Sequence, residues 1–298
     1  GSTGHPKGVM ISEHSVNHLL NWACELYDSE QLAVTLASTT ITFDLSVFEL
    51  FVPLMAGTSI ALVDSILDLV DISPNKLPPI SLINTVPSAM REIARIQAIP
   101  GTCQTINLAG EALDQTLVNE LYAHPSVKAV YNLWGPSEDT TYSTVYLCGQ
   151  GEDLPQAVPI GRPLPETEIT LLDNEILLSG PGICLGYWNR PDLNNQCFGF
   201  SESGKRFYRT GDLGYWDKNL QLRFSGRKDF QVKVRGYRIE VEDIEAQSYQ
   251  IPHIREAVVS IIEKNNIPSL ALLAYSDDIT LEPKTLKKEL SRRLPRYM

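Results

Sequence analysis

The sequence predicts an α/β protein: a large N-terminal subdomain of parallel α/β layers with a β-barrel-like part, then a small mobile α+β C-terminal subdomain. Three observations carry this. Up to Leu133, short apolar segments of strand length alternate with amphipathic helical ones, the pattern of a parallel sheet covered by helices. Beyond Pro155, short strands follow one another with turn residues between them, as in an antiparallel sheet or small barrel. Beyond Lys228 the pattern changes again to a compact mixture of strands and helices. The expected division is therefore 1–228 and 229–298, with Arg227-Lys228-Asp229 as a hinge.

Taken in order, residues 12–27 read as a helix that Ser12 caps, because Val16, Leu19, Leu20, Ala23 and Tyr27 recur at helical spacing. A strand is expected over 32–38, and an apolar helix over 47–55 that stops at Ala56-Gly57. Buried strands are expected over 80–86, 105–108 and 127–133, separated by helices over 88–96 and 114–123. In the second layer, strands are expected over 168–172, 175–178, 208–210 and 222–224. The last part should hold strands over 231–234, 257–263 and 269–275, a helix from 241, and a basic amphipathic helix over 283–294.

Composition narrows the function classes. The 298 residues carry a formal charge of −11 with no Lys/Arg-rich run, which argues against nucleic acid or an acidic membrane as main partner. No apolar run reaches transmembrane length and no signal-peptide pattern opens the chain. The five cysteines are scattered, odd in number and without a C-x-x-C pair, so neither a disulfide framework nor a zinc site is expected, and a cytoplasmic location fits. His14 and His18 stand four apart, but without the Glu of H-E-x-x-H they read as helix polar residues.

The opening Gly1-Ser2-Thr3-Gly4-His5-Pro6-Lys7-Gly8 suits an anion: glycines allow close backbone approach, hydroxyls donate, and Lys7 adds a mobile charge. It is not a Walker loop, and by itself a flexible turn explains it equally well. Further segments decide the matter: Thr42-Phe43-Asp44-Leu45-Ser46, Asn132-Leu133-Trp134-Gly135-Pro136-Ser137-Glu138, Gly186-Tyr187-Trp188-Asn189-Arg190-Pro191, Tyr208-Arg209-Thr210-Gly211-Asp212-Leu213, and Gly226-Arg227 through Gln231 to Arg238. In this order and spacing they resemble the adenylate-forming superfamily, which includes the acyl-CoA ligases and luciferase. More narrowly they are similar to the adenylation domain of a nonribosomal peptide synthetase. The resemblance runs to Leu294-Pro295-Arg296-Tyr297-Met298.

That resemblance implies a ligase that joins an amino acid to ATP, releases pyrophosphate, and passes the acyl group to a phosphopantetheine thiol. The partners it implies are the peptidyl carrier and condensation domains of the same synthetase. Ser2, Thr3, Gly4 and Lys7 would hold pyrophosphate by backbone donors and charge. Glu138 would be the Mg2+ carboxylate, and Ser137, where the family usually has Thr, would reach the α-phosphate. Asn132 would read the adenine edge, with Trp134 stacked where the family usually has Tyr; the competing reading of Trp134 is plain core. Gly110 and Gly135 would flank the nucleotide, Asp212 would clamp the ribose, and Phe224 and Arg227 would complete the pocket. Without the family, Gly211-Asp212 reads as an ordinary turn.

For the substrate, an α-ammonium group needs a carboxylate when buried, and Asp44, beside Phe43, stands where amino-acid-activating members carry one. By the same resemblance the side-chain pocket is Leu45, Phe48, Asn84 (or its neighbour Thr85), Asn107, Ala109, Leu133, Thr141 and Tyr142. Large residues there and no charged one favour a small amino acid, and the string of pocket residues is similar to family pockets associated with alanine, with glycine next. Asp229 would be the hinge of domain rotation and Gly236 would lie against the thiol arm. A shortened hairpin is expected between Leu172 and Gly180. The family's adenylation lysine is expected beyond Met298, which would make the chain an internal piece of a larger synthetase that folds poorly or adenylates very slowly in isolation. The competing readings are an acyl- or aryl-CoA ligase, against which Asp44 speaks, a noncatalytic nucleotide-binding module, and a docking domain for carrier proteins.

Overall fold

The computed structural model describes residues 7–70, 77–151, 157–228, 231–234, 237–264, 267–278, 281–295 and 298. It divides into two compact units, one of Gly8–Lys228, the other of Asp229–Met298 together with Gly1–Lys7.

A seven-stranded sheet organises the first unit, in the edge-to-edge order Ser59–Leu62, Val34–Ala37, Leu82–Thr85, Thr105–Ala109, Ala129–Trp134, Thr144–Leu147, Arg162–Pro163. The strands from Ser59–Leu62 to Ala129–Trp134 pair in parallel and the last two antiparallel. The central strands are buried at every residue, because helices cover both faces; hence they read as continuous apolar runs. Alternation decides which residue faces which layer. Ile83, Ile106, Leu108 and Val130 pack with Met90 and Ile93 of helix Pro87–Arg95 and with Leu117 and Leu121 of helix Gln115–Tyr122. Leu82, Ala109, Tyr131 and Leu133 pack on the opposite face with Leu19 and Ala23 of helix Glu13–Leu26 and Phe48 and Val52 of helix Leu45–Met55.

The helix ends follow local chemistry. Ser12 accepts from the Ser15 amide at 3.0 Å and Asp114 from the Leu117 amide at 2.9 Å, each satisfying an otherwise orphaned first-turn donor. The strands Ser59–Leu62 and Thr144–Leu147 lack a sequence signal, since each is short and only partly buried.

An antiparallel five-stranded sheet follows. Phe198–Phe200, Arg206–Trp216, Glu175–Ser179 and Glu168–Leu172 lie in that order, and Leu222–Arg227 also pairs with Arg206–Trp216. Asp173 and Asn174 connect its tightest hairpin with φ of 52° and 65°, the left-handed pair that a two-residue loop requires. One expectation is corrected here. Gly211-Asp212 is no turn but lies inside the 11-residue strand Arg206–Trp216, whose pairing shifts register between Leu213 and Gly214. Gly211 takes a φ of 71° within that strand, which explains why it reads as punctuation.

In the second unit, Gln231–Val234 pairs with Tyr237–Glu240, helix Val241–Tyr249 follows, and a long hairpin joins Ile254–Lys264 to Ile267–Ser276 before helix Pro283–Arg293. Ile239, Ile244 and Val259 form part of its core. Among the described residues no helix is long and apolar enough to cross a membrane. Cys24, Cys103, Cys148, Cys184 and Cys197 are free thiols.

Candidate functional site

Asp44 occupies the N-cap position of helix Leu45–Met55, where an aspartate ordinarily accepts from the first-turn amides. Its side chain makes no such bond. Instead its carboxylate accepts from the Ser137 hydroxyl at 2.5 Å, and its carbonyl accepts from Thr141 Oγ1 at 3.2 Å. The segment 42–46 is thereby tied to the segment 132–138 across 93 residues of sequence.

The turn that delivers Ser137 and Glu138 is sterically exacting. A Cβ on Gly135 would stand 2.7 Å from the Thr141 carbonyl oxygen and the Ser143 amide, so only glycine fits beneath the returning chain. Thr140 and Thr141 both take positive φ, 53° and 75°, an uncommon conformation for β-branched residues. Strain of this kind persists where surrounding contacts over-determine it. Here Thr140 Oγ1 donates to the Gly182 carbonyl at 2.7 Å, and Thr141 is held by Asp44.

Glu138 is buried, and the Tyr187 hydroxyl donates to its Oε1. Burial and the Glu138 charge push the Tyr187 phenol up, so it stays the donor. Tyr187 belongs to the strand Gly186–Tyr187, which pairs with Val9–Met10 directly after the opening loop, and the Gly8 carbonyl accepts from the Trp188 amide at 2.7 Å. The backbone that anchors the end of that loop therefore also carries the phenol that orients Glu138. Next to it, burial pushes the Asp139 carboxyl up to about 7, although Ser143 donates to it at 2.5 Å.

No three His, Cys, Asp or Glu side chains group closely enough to hold a metal among the described residues. Magnesium is commonly held by one or two carboxylates plus substrate phosphates, and a lone oriented carboxylate such as Glu138 suits that mode. His18 is not part of any such group; burial lowers its imidazole pKa within helix Glu13–Leu26.

Several residues expected to face the nucleotide lie on or beside the strand Arg206–Trp216. Tyr187 and Tyr208 bring their hydroxyls within 3.5 Å. From Tyr208, the buried face of strand Arg206–Trp216 continues through Thr210 to Asp212, about 13 Å further at ordinary strand rise. Asp212 stands directly opposite Arg227 in the ladder and forms an ion pair with it. Trp134 is 6% exposed and belongs to one core cluster with Ile160, Ile176, Leu178, Ile183, Tyr208 and Leu222. Phe224, two positions beyond Leu222, is 37% exposed. The Asn132 amide donates to the Pro159 carbonyl at 2.9 Å, and Gly110 takes a φ of 84°.

Of the residues expected to line the side-chain pocket, Phe48, Ala109, Leu133 and Tyr142 belong to the core cluster that includes Leu19 and Ala23 of helix Glu13–Leu26 and Val52 of helix Leu45–Met55. Leu45, Phe48, Asn84, Asn107, Ala109, Leu133, Thr141 and Tyr142 are each at most 4% exposed. Phe48 and Tyr142 meet edge to face at 5.8 Å. The Tyr142 hydroxyl donates to Asn84 Oδ1 at 2.7 Å, and the Tyr27 hydroxyl donates to Asn107 Oδ1 at 3.0 Å, leaving Asn107 Nδ2 without a hydrogen bond. Asn84 rather than Thr85 makes the bond to Tyr142.

Sequence reasoning passed over Glu49 and Tyr187. Glu49 is an acid in an apolar helical run, a signal in itself, and Tyr187 sits inside the 186–191 motif without an assigned role. Ser2, Thr3, Gly4, Asp229 and Gly236 lie outside the described residues, and Lys7 groups with the second unit.

Comparison with known proteins gives the family. Residues 1–188 match the family model of the AMP-binding enzyme. The chain is 40% identical over 314 residues to a linear gramicidin synthase from Brevibacillus parabrevis, covering 100% of this chain and 6% of that protein. It is 37% identical to the AMB antimetabolite synthetase AmbB of Pseudomonas aeruginosa, spanning 100% of this chain and 25% of that protein. The Vibrio cholerae adenylation domain AlmE, solved in complex with glycyl-adenosine-5'-phosphate, has a TM-score of 0.83 at 23% identity over 100% of this chain and 60% of its own. The chain belongs to the AMP-binding enzyme family, as an adenylate-forming ligase that resembles the adenylation domains of nonribosomal peptide synthetases.

Proposed function

We propose that this chain activates a small amino acid with ATP, alanine first and glycine next, and serves its transfer to the phosphopantetheine thiol of a carrier domain in nonribosomal peptide synthesis. The observation that carries the proposal is the 2.5 Å bond from Ser137 to Asp44. Adenylation requires the substrate carboxylate to meet the α-phosphate while the α-ammonium is held nearby. A carboxylate for the ammonium and a hydroxyl for the phosphate in direct contact supply that proximity.

Each remaining residue has a part. Asp44 would accept from the ammonium, and Ser137 and Glu138 lie beside it in the chain segment that would face the phosphates. Magnesium bound through Glu138 would neutralise phosphate charge as pyrophosphate leaves. Asp212 and Arg227, paired across two strands, would face the ribose and its phosphate, with Lys7 and the opening loop on the departing pyrophosphate. Trp134, Asn132, Gly110, Gly135 and Phe224 would frame the adenine. Closely packed Phe48 and Tyr142 leave little room for a large side chain, which favours alanine or glycine. The glycyl-adenylate in the AlmE relative supports a small substrate.

Carrier and condensation domains of one synthetase are the proposed partners, and a cytoplasmic location follows from that role. Asp229 and Gly236 would serve the second half-reaction as hinge and thiol-arm contact. The test is amino-acid-dependent ATP–pyrophosphate exchange by the full-length protein against the twenty standard amino acids. Highest exchange with alanine supports the proposal, and preference for a bulky or charged amino acid refutes the pocket reading. Asp44→Ala should remove amino acid dependence; unchanged exchange would sink the ammonium assignment.

A further inference from the structure

The helix that carries Asp44, Leu45 and Phe48 sends one more side chain inward. Glu49 lies one turn beyond Leu45 on the same helix face and is fully buried. Its Oε2 accepts from the Ser38 and Thr39 amides, both at 2.9 Å. Its Oε1 accepts from Thr39 Oγ1 at 2.5 Å and from Asn84 Nδ2 at 3.3 Å. Burial raises the pKa of this carboxyl group and the four converging donors oppose that rise; the donor set suits the acceptor-only form.

The acceptor-only form has a consequence for Asn84. An amide can present either end, and a carboxylate accepts only its N–H. With Nδ2 drawn to Glu49, Asn84 Oδ1 faces the other way and accepts from the Tyr142 hydroxyl at 2.7 Å. The single phenolic proton is thus committed to Asn84, so Tyr142 offers lone pairs, not a proton, to whatever lies beside it. Contacts with Phe48 at 5.8 Å and Trp22 at 6.2 Å hold the ring in place.

We infer that Glu49 is a positioning residue for substrate selection: through Asn84 it fixes the donor and acceptor pattern of Tyr142, and so keeps the pocket suited to a side chain that asks for no proton from it. The inference rests on the proposed amino acid pocket, and it assigns selectivity to a residue behind that pocket.

Glu49→Gln tests it, because the substitution keeps shape and inverts the relay. The new carboxamide would keep its oxygen on the Ser38 and Thr39 amides and turn its NH2 toward Asn84. Asn84 must then flip, and the Tyr142 proton is released toward the substrate. In ATP–pyrophosphate exchange, KM for the amino acid that the wild type takes best should rise about tenfold, because its apolar side chain would bury the released phenolic proton without an acceptor. KM for ATP should stay within about twofold. The preference over asparagine, which carries a side-chain acceptor, should fall by a similar factor. Adding Asn84→Asp restores an acceptor on both sides of the relay and should recover most of the lost selectivity.

Equal changes in both KM values, unchanged selectivity, or a double variant no better than the single one would overturn the inference. Should Glu49→Gln not fold, Tyr142→Phe removes the hydroxyl and keeps the ring; unchanged selectivity there overturns it equally. Wild-type protein that exchanges with none of the twenty amino acids would refute the pocket itself. Amino-acid-dependent wild-type exchange with insensitive variants would refute only the role of Glu49.

Discussion

Tyr187 donates its phenolic hydroxyl to the carboxylate of Glu138, and its own strand pairs with the residues that follow the opening loop. One side chain therefore links the end of that loop to the proposed metal carboxylate. Partners that orient a metal ligand are worth about tenfold or more in metal affinity. Tyr187→Phe should accordingly raise the Mg2+ concentration for half-maximal pyrophosphate exchange about tenfold. The ring contact with Phe198, at 5.7 Å, is kept, while loss of the donor to buried Glu138 should lower stability by about 1–3 kcal/mol. An unchanged Mg2+ dependence would show that the phenol is only structural.

Asp212 and Arg227 form an ion pair in which both side chains are nearly buried. Removing one partner of such a pair leaves an uncompensated charge, at a cost of about 3–5 kcal/mol. Asp212→Ala should therefore lower stability by about that amount in urea unfolding, beyond any effect on nucleotide binding. Arg227→Ala in the same background should add little, since the pair is already broken. Full additivity of the two would contradict the pairing.

Gly135 passes beneath the 141–143 backbone with no space for a methyl group. Gly135→Ala must push two segments apart, and overpacking of this kind costs about 1–3 kcal/mol. Because the same turn carries Ser137 and Glu138, exchange activity should fall by more than stability alone explains. Activity in proportion to the folded fraction would separate the turn from the site.

Glu175 is buried, and burial raises its pKa, yet Arg209 at 2.7 Å and the Lys228 charge outweigh this and leave it below the usual glutamate range. A carboxyl depressed in the folded state adds stability above the unfolded-state pKa, and that stability is lost as pH falls through the folded value. Arg209→Ala should thus destabilise the protein clearly at pH 7 and progressively less below about pH 4.5. Equal destabilisation at pH 7 and pH 3, followed by chemical denaturation, would mean that Arg209 acts by packing alone.

Much of the scaffold is legible from local chemistry. Ser12 and Asp114 announce helix starts because a side-chain oxygen satisfies a nearby amide, an interaction confined to neighbouring residues. The buried parallel strands announce themselves as apolar runs because both their faces meet helices. Gly211-Asp212 misleads for a related reason: a left-handed glycine looks the same to the sequence in a strand irregularity and in a turn.

Motif order by itself determined the family resemblance and nominated Asp44, Ser137, Glu138 and Asp212, since each chemical need selects a residue type at a fixed place in the chain. Which side chains meet was decided only by the tertiary structure. Ser137 reaches Asp44 across 93 residues and Tyr187 reaches Glu138 across 49, contacts that sheet order and strand register create. Glu49 shows the limit most plainly. A lone acid in an apolar helix acquires meaning only when the donors of Ser38, Thr39 and Asn84 converge on it, because hydrogen bonding is a relation in space and sequence records neighbours along the chain alone.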